Sequence, residues 1–305
     1  MTHYAIVGAG QVGRRLATSL VDSGATVDLI SRSGGSVAGA RGVSADASDR
    51  QSLLSATGEA DVIYNCVNPP YHRWPTDWPP IAGNLLAAAR GKTLVTLSNL
   101  YGYGPVEAPM TESTPLSATG VKGTVRAQMW RDALAAHEAG DLRAVEVRGS
   151  DYIGEGGDQV TFGARVIPRM AAGKSVQLLG RTDEPHTWTY TGDVAALLAV
   201  VGTDDRAYGR VWHVPSNAPR TQSQVLADLA QEMGVGVPRV RTISALQLRM
   251  AGLFSPTIRE LSEMLYEFDR PFVMDSSAAE QTFGLQPTPW EAVIEQTVAR
   301  NLESA

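Results

Sequence analysis

Gly8, Gly10 and Gly13 follow the apolar run Ala5-Ile6-Val7 and precede a helix-like stretch that opens with Gln11 and Val12. Strand, glycine turn and helix in that order suit a pyrophosphate: Gly8 permits a tight turn, Gly10 lets backbone amides approach phosphate, and Gly13 lets the helix lie close to the sheet. A dinucleotide is therefore expected. At the end of the second apolar run stand Ser31, Arg32 and Ser33, while Asp28 lies inside the run. A site for the unphosphorylated cofactor places a carboxylate there, whereas a guanidinium flanked by hydroxyls suits a 2′-phosphate. NADP is the expected cofactor, with NAD the alternative. Asp46 and Ala47 end the third strand, where adenine is contacted, and Asp46 can equally cap a helix from Ser48.

Short β-branched runs near 4–8, 26–30, 61–66, 93–97, 143–148 and 210–213 must position these residues. They alternate with helical patterns near 11–22, 48–56, 80–90, 123–139 and 192–201. The alternation predicts an α/β fold with a doubly wound parallel sheet. After about residue 149 the character changes to Gly-rich loops and helices separated by Pro and Gly, which predicts a smaller, mostly helical C-terminal substrate lobe. The expected division is 1–149 plus about 182–215 for the nucleotide domain, and about 150–181 plus 216–305 for the lobe. Asp193 is placed to cap the helix that follows "EPHTWTY".

The formal charge is -6 and the pI near 5.4, so the chain lacks the basic footprint of a nucleic-acid binder. No apolar run reaches the ~20 residues of a membrane helix, and no leader precedes the first strand, so a cytoplasmic protein is expected. The one cysteine, Cys66, excludes an internal disulfide and reads as a buried strand thiol. No His, Asp or Glu spacing suggests a metal. The expected partner is a small-molecule substrate, with a homodimer left open.

The glycine motif, "LSNLYGYGPVEAPMTESTPLSATGVKG", "VEVRGSDYIGEG" and "HTWTYTGDVA" together resemble the extended short-chain dehydrogenase/reductase superfamily, which includes the NAD(P)-dependent sugar epimerases and dehydratases. The resemblance covers nearly the whole chain and implies a Rossmann-type domain with a smaller lobe closing over substrate. It also implies a Ser or Thr after the fifth strand acting with a Tyr-x-x-x-Lys pair, Tyr as acid/base and Lys lowering its pKa. This chain departs there. Its lysines are Lys92, Lys122 and Lys174, and the residues four before them are Ala88, Ala118 and Met170. Aligning "PLSATGVKG" with the family's pattern puts Thr119 at the tyrosine and Gly123 at the lysine, while a shift that restores Lys122 leaves Ala118 at the tyrosine.

Replacement candidates follow from chemistry. Tyr101 and Tyr103 lie just past the fifth strand, where a phenol near a nicotinamide can donate a proton. Ser98 approximates the family's hydroxyl, with Thr96 second. Lys122 and Arg126 can supply positive charge. Asn68 and Pro69 match the loop that approaches the nicotinamide half of the cofactor. Tyr71, His72, Trp74 and Trp78 crowd a Pro-rich loop, either as a pocket wall for a ring-shaped substrate or as packing. Tyr152 and His186, the latter beside Trp188, complete the substrate-side set. The leading expectation is an NADP-dependent reductase or dehydrogenase of a small, cyclic or aromatic carbonyl or alcohol. The alternatives are a sugar-nucleotide-type epimerase or dehydratase, and a non-catalytic NAD(P)-binding regulator.

Overall fold

The computed structural model describes residues 2–155, 160–243, 247–248, 250, 260 and 262–303. Its strands run β1 (His3–Val7), β2 (Thr26–Ser31), β3 (Arg41–Ser44), β4 (Val62–Asn65), β5 (Thr93–Asn99), β6 (Arg143–Gly149), β7 (Asp151–Ile153), β8 (Val176–Leu179), β9 (Trp188–Tyr190), β10 (Arg210–His213) and β11 (Val240–Ile243). Helices α1 (Gln11–Asp22), α2 (Arg50–Ala56), α3 (Trp74–Ala88) and α4 (Val121–Glu138) connect the first six strands. Seven strands form one sheet in the order β10-β6-β5-β4-β1-β2-β3, with all pairings parallel. This is the doubly wound Rossmann-type order, whose ligand crevice lies beyond the carboxyl ends of β1 and β4, where the winding reverses.

The sheet is buried on both faces, which explains why its strands read as continuous apolar runs rather than alternating ones. On one face Leu16, Leu20, Val194 and Leu198 pack against Ile6, Leu29 and Val147. On the other Trp74, Trp78, Leu85 and Trp130 pack against Ile63 and Leu94. A third cluster forms the lobe, where Phe162, Ile167, Met170, Leu226, Val293 and Val298 meet Trp188 and Tyr190 of β9. Small two-stranded parallel pairings, β7 with β9 and β8 with β11, tie that lobe together. The chain returns to the main sheet at β10, and the helix Ser277–Phe283 also packs there, with Phe283 against Trp212 at 4.7 Å.

Three local departures from the sequence reading have physical causes. The Pro-rich stretch 74–80 is the start of α3, with Pro79 and Pro80 inside it. Proline there forfeits amide hydrogen bonds, and the fully buried Trp74 and Trp78, one turn apart, anchor the segment against the core instead. Asp49, not Asp46, caps α2 by accepting from the Ser52 amide at 2.9 Å; Asp46 accepts from the Ser48 amide at 2.8 Å. Asp193 lies in the first turn of its helix (Thr191–Val201), where its carboxylate accepts from the Thr288 amide and hydroxyl at 3.0 and 2.6 Å. It fastens a C-terminal loop rather than a helix end.

Candidate active site

The three glycines at the end of β1 are glycines for different reasons. Gly8 has φ +114°, and a Cβ there would sit 2.5 Å from the Cys66 carbonyl oxygen. At Gly13 a Cβ would meet the Gly8 oxygen at 2.0 Å. Both are closed by the protein itself. Gly10 has an ordinary φ of -74° and no protein atom within 4 Å of its would-be Cβ. It stands at the N-cap of α1 with no side chain capping the helix, so the free amides of the first turn face open space. A pyrophosphate fits that cradle, because both the amides and the helix dipole favour an anion.

From this cradle a cleft of about 670 Å³ runs along the carboxyl edge of the sheet. Gly8, Gly10, Gln11, Val12 and Gly13 line it at the glycine cradle, and Ser31, Arg32, Asp46 and Ala47 line it at the ends of β2 and β3. Arg32 is exposed, and its charge holds the Asp46 carboxyl down beside the larger effect of the Ser48 hydrogen bonds. Ser33 is exposed and does not line the cleft. Asp28 is committed elsewhere: Arg41 donates to both its oxygens at 2.7 and 2.6 Å, and His3 approaches at 3.0 Å. The end of β2 therefore presents a cation, Arg32, and one hydroxyl, Ser31, to the cleft.

Asn68 and Pro69 line the middle of the cleft, and Ser98, Asn99, Tyr71, Tyr101, Arg126, Ser150, Asp151, Tyr152 and Phe272 form the far end. Tyr71 comes from the 3-10 turn after β4 and Tyr101 from the 3-10 turn after β5. Neighbouring strands bring them together, and their hydroxyls lie 2.9 Å apart. Burial pushes the Tyr71 phenol up to about 12 and Tyr101 well above its ordinary value, with Arg126 pulling Tyr71 down slightly. Burial likewise raises Tyr152. All three phenols are neutral at pH 7.

Arg126 underlies this group. Its guanidinium is wedged 4.6 Å from the Trp74 ring and 4.5 Å from Trp78, and Nη1 donates to the Leu97 carbonyl at 3.5 Å. Arginine keeps its charge even in such a place, and the two indole faces help to hold it there. Burial alone drives its pKa down, opposed by Glu146 and the nearby tyrosines. Its Nε and the buried Ser98 hydroxyl have no protein partner, and buried polar atoms of that kind at a cleft wall await a ligand.

Several expected residues stand elsewhere. Tyr103 is fully buried and donates to His213 Nε2 at 2.7 Å, the His213 Nδ1–H being used on the Asp275 carbonyl at 2.7 Å. Trp74 is equally buried, its indole N–H donating to the Pro69 carbonyl at 2.8 Å, so the aromatic wall expected of the Trp-rich segment is core packing. His72 is exposed and off the cleft. Lys122 is fully enclosed: its ammonium donates to Glu260 at 2.6 Å and Glu263 at 2.9 Å, and its amide donates to Glu263 at 2.9 Å. Its side chain pairs with the C-terminal segment and does not itself line the cleft, and its ammonium stands 5.7 Å from the centre of the Tyr71 ring, behind the cleft wall.

Thr119 is exposed, and at Gly123 a Cβ would collide with the Tyr101 oxygen and the Ala118 Cβ, both at 2.4 Å. Neither position of the family's pair offers a working group. His186 is buried, stacked on Trp188 at 4.2 Å, and reaches the cleft only through Asp151. Cys66 lines the cleft, but burial lifts its thiol to about 12, so it is not a nucleophile at neutral pH. The sequence reading missed Asp151 and Phe272. Asp151 follows β6 at the sheet's carboxyl edge, a position that marks a ligand neighbour; Phe272 arrives from the distant lobe with no local signal.

Residues 5–214 match the NAD dependent epimerase/dehydratase family. A search of curated proteins gives no match. Among solved structures, UDP-glucose 4-epimerase from Thermotoga maritima, with UDP-glucose, is similar at TM-score 0.81 and 16% identity over 100% of this chain and 99% of that one. The dTDP-glucose 4,6-dehydratase from Bacillus anthracis, in complex with NAD, gives 0.79 and 18% over 99% and 97%. UDP-glucuronic acid 4-epimerase from Bacillus cereus, in complex with NAD, gives 0.79 and 14% over 100% and 99%. At such identities the likeness is one of fold. The match over residues 5–214, on a cleft whose glycine cradle suits a pyrophosphate, places this chain in the NAD-dependent epimerase/dehydratase family, as an NAD(P)-dependent enzyme of the extended short-chain dehydrogenase/reductase type.

Proposed function

We propose that this enzyme transfers hydride reversibly between a carbinol carbon of a hydroxyl-rich, sugar-type substrate and the nicotinamide of NADP, in the manner of an epimerase or dehydratase. One observation carries the reading. The far end of the cleft brings together hydroxyls, an amide and a carboxylate from Ser98, Asn99, Ser150, Asp151 and three tyrosines, beside the apolar Leu97, Leu100 and Phe272. That number of hydrogen-bonding groups suits a ring bearing several hydroxyls better than a small cyclic or aromatic carbonyl with a single polar group. The family match and the sugar nucleotides named with the structural neighbours support the same choice.

The bound nicotinamide supplies the hydride acceptor or donor. The chain's own residues do the rest. In the Tyr71–Tyr101 pair one hydroxyl donates to the other, leaving one O–H to donate to the reacting oxygen. Arg126 beneath them stabilises negative charge building on that oxygen in a site of low dielectric. NADP is preferred because Arg32 faces the adenosine end while Asp28 is held by Arg41.

A second reading is net reduction of a carbonyl, in which the phenols, in their acid form at pH 7, serve as hydrogen-bond donors to the carbonyl oxygen. The fate of the cofactor separates the two. An epimerase or dehydratase changes UDP-glucose or dTDP-glucose with no net gain or loss of NADPH, whereas a reductase consumes NADPH one for one with substrate. Failure to bind either dinucleotide in calorimetric titration overturns both.

A further inference from the structure

Asp151 stands at the far end of the cleft, and its Oδ2 lies 2.9 Å from Nε2 of the buried His186. Among the described residues neither atom has another partner. The other ring nitrogen is already committed, with His186 Nδ1 3.2 Å from the Glu267 backbone carbonyl, which can only accept. Nδ1 therefore carries a proton. If Nε2 and Oδ2 were both bare, two lone pairs would face each other at 2.9 Å in a buried place, so a second proton lies between them. The imidazole is held in position by rings: Trp188 at 4.2 Å, Phe268 at 5.1 Å and nearly coplanar in tilt, and Phe272 at 5.1 Å.

We propose that Asp151 is the proton acceptor and donor of this site, and that His186 is its positioning residue, holding the shared proton and the orientation of the carboxyl. The inference rests on the hydride-transfer reading above. It supplies what the neutral phenols lack, a group that can take a proton at neutral pH. In the oxidation direction the substrate O–H bond breaks and its proton joins the Asp151 carboxylate. The C–H electron pair leaves as hydride for the oxidised nicotinamide, and the C=O double bond forms. Reduction runs the same steps backward, with Asp151 returning the proton. The charged and titratable groups around the pair are Glu267, Tyr71, Tyr101, Tyr152 and Tyr266, with Lys122 and Glu263 acting on Glu267 from the side of α4 and the C-terminal segment.

The test has two arms. In protein labelled with 15N-histidine, Asp151→Asn should move the pH at which the His186 ring signals change downward by at least one unit, a tenfold loss of proton affinity, because a neighbouring anion is lost. An unmoved transition overturns the dyad; should that variant fail to fold, Asp151→Ser gives the same comparison. In the second arm, wild type, Asp151→Asn and His186→Gln are offered UDP-glucose and dTDP-glucose, and NADPH affinity is followed by nicotinamide fluorescence. Asp151→Asn should lose 10²–10⁴ in turnover with NADPH affinity within twofold. His186→Gln should lose less and alter the pH profile of kcat/KM. Turnover of Asp151→Asn within threefold of wild type overturns the proposal. A wild type that turns over neither sugar counts against the reading of the reaction, and the spectroscopic arm then decides the dyad by itself.

Discussion

Acid should loosen this protein through one histidine. His213 is fully buried at the end of β10, with its Nδ1–H on the Asp275 carbonyl and Nε2 accepting from Tyr103. Both nitrogens are satisfied by the neutral ring alone. Burial, with the Arg148 charge adding to it, lowers its pKa from 6.5 to about 4. The sign follows: between those values the unfolded chain binds a proton that the folded chain refuses, so stability is intact above pH 6.5 and falls as the pH drops toward 4. At about 1.4 kcal/mol per unit the loss approaches ~3 kcal/mol at pH 4. His213→Gln keeps a donor and an acceptor but cannot titrate. Urea unfolding followed by tryptophan fluorescence at pH 7 and pH 4.5 should show wild type losing about 2–3 kcal/mol more than the variant. Carboxylates that titrate in the same window cancel in that difference. Equal losses in the two proteins would refute the neutral-imidazole account of the Tyr103–His213–Asp275 link.

Other outcomes follow from the site. Gly10→Val should weaken both dinucleotides by at least ~1.4 kcal/mol, tenfold, because the new side chain enters space that only a ligand occupies; calorimetry with unchanged affinity would sink the cradle. Arg32→Asp should weaken NADPH by about 1.5–3 kcal/mol, with NADH much less affected, narrowing or inverting the preference; a wild type that already prefers NADH ends that argument. Lys122→Met strips a buried cation from Glu260 and Glu263 and should cost about 3 kcal/mol in thermal or urea unfolding while leaving NADPH affinity nearly constant.

How much of this was legible in the sequence depends on the distance over which each feature is encoded. The glycine turn, the order of strands and helices and the cation at the end of β2 are written in stretches of a few residues, so they could be read directly. The phenol pair was legible only as two names. Tyr71 and Tyr101 meet because β4 and β5 are neighbours in the sheet, and nothing local in either turn says so. Lys122 reads from sequence as a source of positive charge for the site because its capture by Glu260 and Glu263 lies about 140 positions downstream. Trp74 and Trp78 were read as a loop because prolines punctuate the segment, and the helix exists through burial that local propensity does not contain.

At Gly123, the position that the resemblance in sequence assigns to the lysine, the backbone has closed over the space for a side chain. Any side chain there must displace the Tyr101 carbonyl and Ala118, and Tyr101 is half of the phenol pair at the cleft. Grafting a tyrosine at Thr119 and a lysine at Gly123 would therefore dismantle one proton-handling arrangement without assembling the other.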